Sequence, residues 1–98
     1  MDRLMLRYTV KPEQLDRNLQ LVRAVYAELH ATRPDGLRYV TFQLEDDLTF
    51  VDIAWGKDLP GPLPQLEAFR RFRVDLEERC SERVVTEFTE VGSYGLWA

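Results

Sequence analysis

The sequence contains a single cysteine, Cys80, and a single histidine, His30, among its 98 residues. A lone cysteine cannot form a disulfide within the chain, and four-ligand zinc sites combine several Cys and His side chains. We therefore expect neither a structural disulfide nor a zinc centre. Cys80 continues an apolar helical series and is interpreted as a small buried side chain.

Long hydrophobic runs are also absent. No stretch approaches the roughly 18–20 apolar residues that span a bilayer, and the N-terminal segment 1–4 has no signal-peptide character. These absences predict a cytoplasmic protein without a membrane partner.

Positive charge is scarce, with 13 Lys and Arg against 17 Asp and Glu and a net charge of −4. Proteins that bind nucleic acid neutralise phosphates with an excess of basic residues, so this balance argues against such a partner. The local cluster Arg70, Arg71 and Arg73 is interpreted as a solvated helix face rather than an anion site.

The first half of the chain alternates between strand and helix patterns. Residues 3–10 show the two-residue period of a strand, and Pro12 and Glu13 then open a helix. Pro34 and Gly36 end that helix. Its apolar stripe is Leu15, Leu19, Val22, Tyr26 and Leu29.

The second half predicts a hairpin, a helix and a last strand. Strands at 37–44 and 48–55 are joined by a tight acidic turn, which makes them antiparallel. Residues 56–64, with three prolines, form a candidate functional loop. A helix over 64–81, a strand over 83–91 and an aromatic tail over 92–97 follow.

The order strand, helix, strand, strand, helix, strand predicts an α+β fold of the ferredoxin-like βαββαβ type. Both helices then cover one face of a four-stranded antiparallel sheet with the first and third strands in the centre. By strand parity, the helix-facing set is Leu4, Leu6, Tyr8, Val40, Phe42, Leu44, Val51, Ile53, Val84 and Phe88.

Parity places a mixed set of side chains on the other sheet face. Met5, Tyr39, Phe50 and Val85 would form an exposed apolar patch there, which is typical of an interface. The same face would carry Asp52 beside Arg7, with Glu87 on the far side of Arg7. These three charges either satisfy one another on a solvated sheet or line a partly enclosed ligand cavity.

Three segments carry a resemblance to a known family: the third strand 50–55, which ends in Trp55, the second helix with Phe69 and Phe72, and the fourth strand 84–89 with the aromatic tail after it. In these segments the chain resembles the antibiotic biosynthesis monooxygenase-like group of the dimeric α/β-barrel superfamily. The resemblance implies one domain over residues 1–98 and a homodimer whose sheets pack face to face. The C-terminal segment often reaches the partner, and a pocket lies between sheet and helices.

Some members of this group oxygenate polyphenolic or quinol-like compounds without metal or flavin. The resemblance thus implies a small cofactor-independent monooxygenase that acts on an aromatic small molecule and needs no cofactor. The alternative is a non-catalytic homodimer of the same fold that binds a small molecule or has an accessory role. A closed cavity with convergent polar groups favours catalysis, and a space filled by phenylalanine and leucine favours a structural role.

Under the enzymatic hypothesis Trp55, Arg7 and Tyr39 are the candidate catalytic residues. Trp55 would stack on the substrate, and Tyr39 or Tyr8 could hydrogen-bond a phenolic oxygen. Arg7 would favour the phenolate, since a nearby positive charge lowers the pKa of a phenol. The candidate substrate-binding residues are Tyr8, Asp52, Phe69, Phe72 and Glu87.

Overall fold

A computed structural model describes residues 2–96 and has the predicted α+β architecture. Single 3₁₀ turns at Pro12–Gln14 and Leu63–Gln65 precede the first and second helices. The elements are β1 (Arg3–Val10), α1 (Leu15–Thr32), β2 (Arg38–Gln43), β3 (Thr49–Trp55), α2 (Glu67–Val74), α3 (Leu76–Arg79) and β4 (Cys80–Glu87).

The four strands form one antiparallel sheet in the order β2-β3-β1-β4, so β1 and β3 occupy the centre as predicted. Leu6 of β1 lies opposite Asp52 on one side and Val85 on the other. Thr41 of β2 in turn lies opposite Asp52. Asp52 is therefore near the middle of the sheet.

The predicted parity is correct for β1 and wrong for the other three strands. Side chains directly opposite in an antiparallel pair share a face, and Tyr8 pairs with Phe50. Phe50 is accordingly 1% exposed, whereas Phe42 is 51% exposed. The sheet face that points away from the helices is called the open face. The residues that were predicted to face the helices but lie on the open face are Val40, Phe42, Val51, Ile53 and Val84.

The hairpin turn fixes how β2 pairs with β3. Asp46 accepts hydrogen bonds from the backbone nitrogens of Leu48 at 3.0 Å and Thr49 at 2.8 Å, and from the Thr49 hydroxyl at 2.6 Å. Turn chemistry of this kind fixes which residues of the two strands pair. The pairing of β3 with β1, in which Phe50 lies opposite Tyr8, then turns the more apolar face of β3 away from the helices.

Two sequence-predicted boundaries move because the second helix stops early. Asp75, with φ −114° and ψ 17°, separates α2 from α3, and Cys80 already begins β4 opposite Val10. The Lys11 amide donates to the Arg79 carbonyl at 2.8 Å, which ties the start of β4 to the end of β1. Cys80 is buried as expected, but in a strand.

The inner face of α1 is centred one position from the predicted stripe. Its buried residues are Asn18, Leu21 and Val25. The predicted residues Leu15, Leu19, Val22 and Leu29 pack around this line as partly buried neighbours of the core. Asn18 occupies a core position because it bonds buried polar groups.

The C-terminal segment adds no further helix or strand between residues 88 and 96. Val91 and Tyr94 are fully exposed there, and Trp97 of the predicted aromatic tail lies outside the described residues. None of the helices within residues 2–96 has both the length and the apolar character needed to traverse a bilayer.

Candidate functional site

A cavity of about 200 Å³ lies between the helix-facing side of the sheet and α2. The sheet contributes Leu6, Tyr39 and Asp52, and α2 contributes Phe69 and Phe72. The proline-containing segment, expected to be a functional loop, adds Leu59, Pro60 and Leu63 to the wall. Its lining is mainly apolar, as is usual for a small-molecule site.

Asp52 is the charged group at the buried end of this cavity. It is 4% exposed, and its Oδ2 accepts a hydrogen bond of 3.0 Å from the Tyr39 hydroxyl. Its other oxygen, Oδ1, is buried and has no hydrogen bond of standard geometry among the described residues, while the neighbouring Thr41 hydroxyl favours the ionised carboxylate. Burial raises the pKa of Asp52 to about 6, because an apolar environment disfavours the charged form. The carboxyl can therefore both accept and release a proton near neutral pH.

Tyr39 is held in place by its neighbours. Its ring stacks on Tyr26 with centroids 5.6 Å apart, and the Tyr26 hydroxyl shares a 2.7 Å hydrogen bond with Thr41. Burial, followed by the charge of Asp52, raises the pKa of Tyr39 well above its usual value. Tyr39 consequently stays a neutral phenol that donates to Asp52.

Tyr8 is completely buried and packs against Phe72 of the cavity wall without lining the cavity itself. Its ring stacks on Phe50 at 5.3 Å and meets Phe72 edge-on at 5.9 Å. Its hydroxyl accepts a 3.1 Å hydrogen bond from the Asn18 amide, whose oxygen lies 3.3 Å from the Arg79 Nε. Tyr8 is thereby a buried support for the cavity wall.

The exposed end of the cavity is lined by Arg73 and Arg83, which the sequence did not single out for this site. The guanidinium of Arg73 lies over the Phe69 ring, 5.9 Å from its centroid. The solvated-face interpretation of the cluster does describe Arg71, which is exposed and pairs with Glu67 at 2.7 Å. Two positions along a helix correspond to a rotation of about 200°, so Arg71 and Arg73 point in different directions from α2.

Three of the predicted site residues lie elsewhere. Arg7 pairs with Val51 and Val84 on the open face, so the expected cluster of Asp52, Arg7 and Glu87 is wrong. Alternation of strand side chains puts Arg7 and Asp52 on opposite sides of the sheet.

Trp55 also lies on the open face, with its ring edge-on to Phe88 at a centroid distance of 6.0 Å. Glu87 lies opposite Leu4 on the edge strand and is exposed. Neither residue lines the cavity. Of the eight candidates, the structure brings together Tyr39, Asp52, Phe69 and Phe72.

Within residues 2–96, no group of three or more His, Cys, Asp or Glu side chains is placed to hold a metal ion. The polar groups that the cavity offers to an occupant are the Asp52 carboxyl and Tyr39 phenol at one end and the two arginines at the other. Such a site can orient a molecule and exchange one proton with it.

No family model and no curated protein matches this sequence. Among solved structures, one named antibiotic biosynthesis monooxygenase is 24% identical, covers 94% of this chain and 100% of its own, and gives a TM-score of 0.72.

Two further solved structures are similar over nearly the whole chain. The Pseudomonas aeruginosa protein PA3566 is 20% identical, with 92% and 93% coverage and a TM-score of 0.71. SnoaB, a cofactor-independent oxygenase from Streptomyces nogalater, is 19% identical, with 97% and 99% coverage and a TM-score of 0.60. The resemblance predicted from the sequence is thus confirmed as a likeness of fold to structures that carry the antibiotic biosynthesis monooxygenase name.

Proposed function

We propose that this protein is a small monooxygenase-like enzyme that binds a phenolic or quinol-like compound in the cavity and uses Asp52 to take its proton. The observation that carries the proposal is the Asp52 carboxyl, a buried group in the wall of an apolar cavity with no cation paired to it among residues 2–96. A buried carboxylate without a paired cation is costly, so an occupant with a donor group fits this end.

The chemistry follows from the pKa of Asp52. A general base works best when its pKa lies near the working pH, and burial brings this carboxyl to about 6. The hydroxyl of a bound phenol would donate to the Asp52 carboxyl and pass its proton to it. The Tyr39 hydroxyl stays on Oδ2 and keeps the carboxyl oriented.

The resulting phenolate is electron-rich and reacts with O2 more readily than the phenol does. If the ring bears a conjugated CH2 group, that carbon becomes C=O, with one atom of O2 in the product and the other in water. This stoichiometry needs no external reductant. The likeness of fold to SnoaB supports such a reaction without deciding the substrate.

The test is oxygen uptake over a panel of reduced polyphenols. Asp52→Asn is expected to lower kcat/KM at least tenfold, because the amide cannot accept the proton. The wild-type kcat/KM should rise with pH and level off above about 6, and this rise should vanish in the variant. Asp47→Asn, in the exposed hairpin turn, is the matched control and should keep wild-type activity.

Absence of uptake across the panel by folded protein would refute the enzymatic proposal. The second candidate is then a non-catalytic small-molecule-binding homodimer. It is favoured by the mainly apolar lining and by the position of Trp55 and Arg7, which both lie outside the cavity. We assign these two residues to the proposed dimer face instead of the substrate site.

A further inference from the structure

The two ends of the cavity carry opposite charges. Asp52 marks the buried end, and Arg73 and Arg83 mark the exposed end. An occupant that spans the cavity therefore meets an acceptor inside and cationic donors at the mouth.

Arg73 is well placed to bind an anion. Its guanidinium is positioned over the Phe69 ring, and among residues 2–96 it has no ion-pair partner. Stacking on an aromatic face restricts a guanidinium while leaving its N–H donors at the rim.

Arg83 provides the second cation and is only weakly engaged. Its Nη1 lies 3.3 Å from Oε1 of Glu77, whose side chain is 86% exposed. Ion pairs of this kind contribute little, typically about 0–1 kcal/mol. A carboxylate at the mouth can thus share or replace Glu77.

The cavity volume limits the size of the occupant. At about 200 Å³ it exceeds the roughly 150 Å³ that accommodates benzene in an engineered protein cavity. One aromatic ring with short substituents fits between Phe69, Phe72 and Leu63.

We propose that the ligand class is a one-ring hydroxyaryl carboxylic acid, with its hydroxyl on Asp52 and its carboxylate on Arg73 and Arg83. The inference rests on the proposed function in taking an aromatic phenol as the occupant. The reverse orientation is disfavoured, because it would bring a carboxylate against Asp52 and leave both arginines without an anion.

Calorimetric titration with 3-(4-hydroxyphenyl)propanoate and with its neutral amide tests the proposal. At pH 7.5 and low salt, the acid should bind at least about tenfold tighter than the amide, a difference typical of a charge-assisted pair. The double variant Arg73→Gln/Arg83→Gln should reduce this ratio to below about threefold. Arg71→Gln is the matched control, since Arg71 is an exposed arginine of α2 outside the cavity, and it should keep the ratio.

Equal binding of acid and amide, or a preference that survives in the double variant, would overturn the inference. Loss of the preference in Arg71→Gln as well would also overturn it, because overall charge would then be the cause. A preference for the acid without oxygen uptake supports the inference and overturns only the proposed reaction. Oxygen uptake from neutral phenols together with equal binding overturns the inference alone.

Discussion

Asp52 combines a central position in the sheet with the lack of a counter-ion. It lies opposite Leu6 and Thr41, and no cation pairs with it among residues 2–96. Removing a carboxylate from water is costly unless it is paired or protonated. Burial of this carboxyl without a counter-ion therefore lowers the stability of the fold.

Because burial disfavours the charged form of Asp52, we predict that the free energy of unfolding depends on pH. The folded-state pKa of Asp52 is about 6, raised from 3.8, so the folded chain binds the proton more tightly than the unfolded chain does. Its contribution to stability is therefore lost as pH rises from about 4 to 6. The difference in free energy of unfolding between Asp52→Asn and wild type, measured by urea unfolding, should shift by about 2 kcal/mol in favour of the variant from pH 4.5 to pH 8.

Asp46→Asn is the control for this measurement. Hydrogen bonds from Thr49 hold the pKa of Asp46 below its usual value, so it is ionised at both pH values. Its loss should destabilise the hairpin equally at pH 4.5 and pH 8. A pH-independent difference between Asp52→Asn and wild type would contradict the buried-carboxylate account.

At the scale of elements, α2 depends on α1 for its start. The N-cap residue Leu66 offers no side-chain acceptor. Glu28 of α1 supplies one instead, with its Oε1 2.8 Å from the Ala68 amide and its Oε2 3.2 Å from the Glu67 amide. This carboxylate positions the helix that carries Phe69, Phe72 and Arg73.

Glu28→Ala should lower the free energy of unfolding by about 1–2 kcal/mol, because two amides at a helix N-terminus lose their acceptor. Glu28→Gln keeps one acceptor and should lose less. Gln20→Ala, at an exposed position on the same helix, should change stability by no more than about 0.5 kcal/mol. Chemical denaturation of the three variants checks this, and equal stabilities of Glu28→Ala and wild type would exclude the capping role.

At the scale of the whole molecule, the open sheet face carries an apolar patch. It carries the half-exposed side chains of Phe42 and Val84 beside the partly buried Val51, Ile53 and Trp55. Exposed apolar patches of this kind mark interfaces. Face-to-face packing of two sheets would cover them, as the resemblance implies.

Sedimentation equilibrium should accordingly show a homodimer. The double variant Phe42→Glu/Val84→Glu should raise the dimer Kd at least about tenfold, because charge would be buried between the sheets. Val74→Glu is the control, since Val74 is 78% exposed on α2, away from the sheet face. A monomeric wild type, or an unchanged Kd in the double variant, would refute this interface.

Element order and connectivity were predictable from the sequence by itself. The two-residue period of β1, the helical period of α1 and the short acidic turn are local properties, so they predict βαββαβ and the central place of β1 and β3. The proline-containing segment was likewise recognisable as a loop, and it lines the cavity.

Which face of β2, β3 and β4 covers the core was decided only by tertiary structure. Both faces of β3 are apolar enough to pack in the core, and a shift of one residue in the pairing exchanges all of its side chains between the two faces. The pairing of Tyr8 with Phe50 between β1 and β3 decided which face is inside, and β2 and β4 followed through their own pairing. The same choice brought Asp52 and Tyr39 to the helix side, where they meet Phe69 and Phe72, and put Arg7 and Trp55 on the other face.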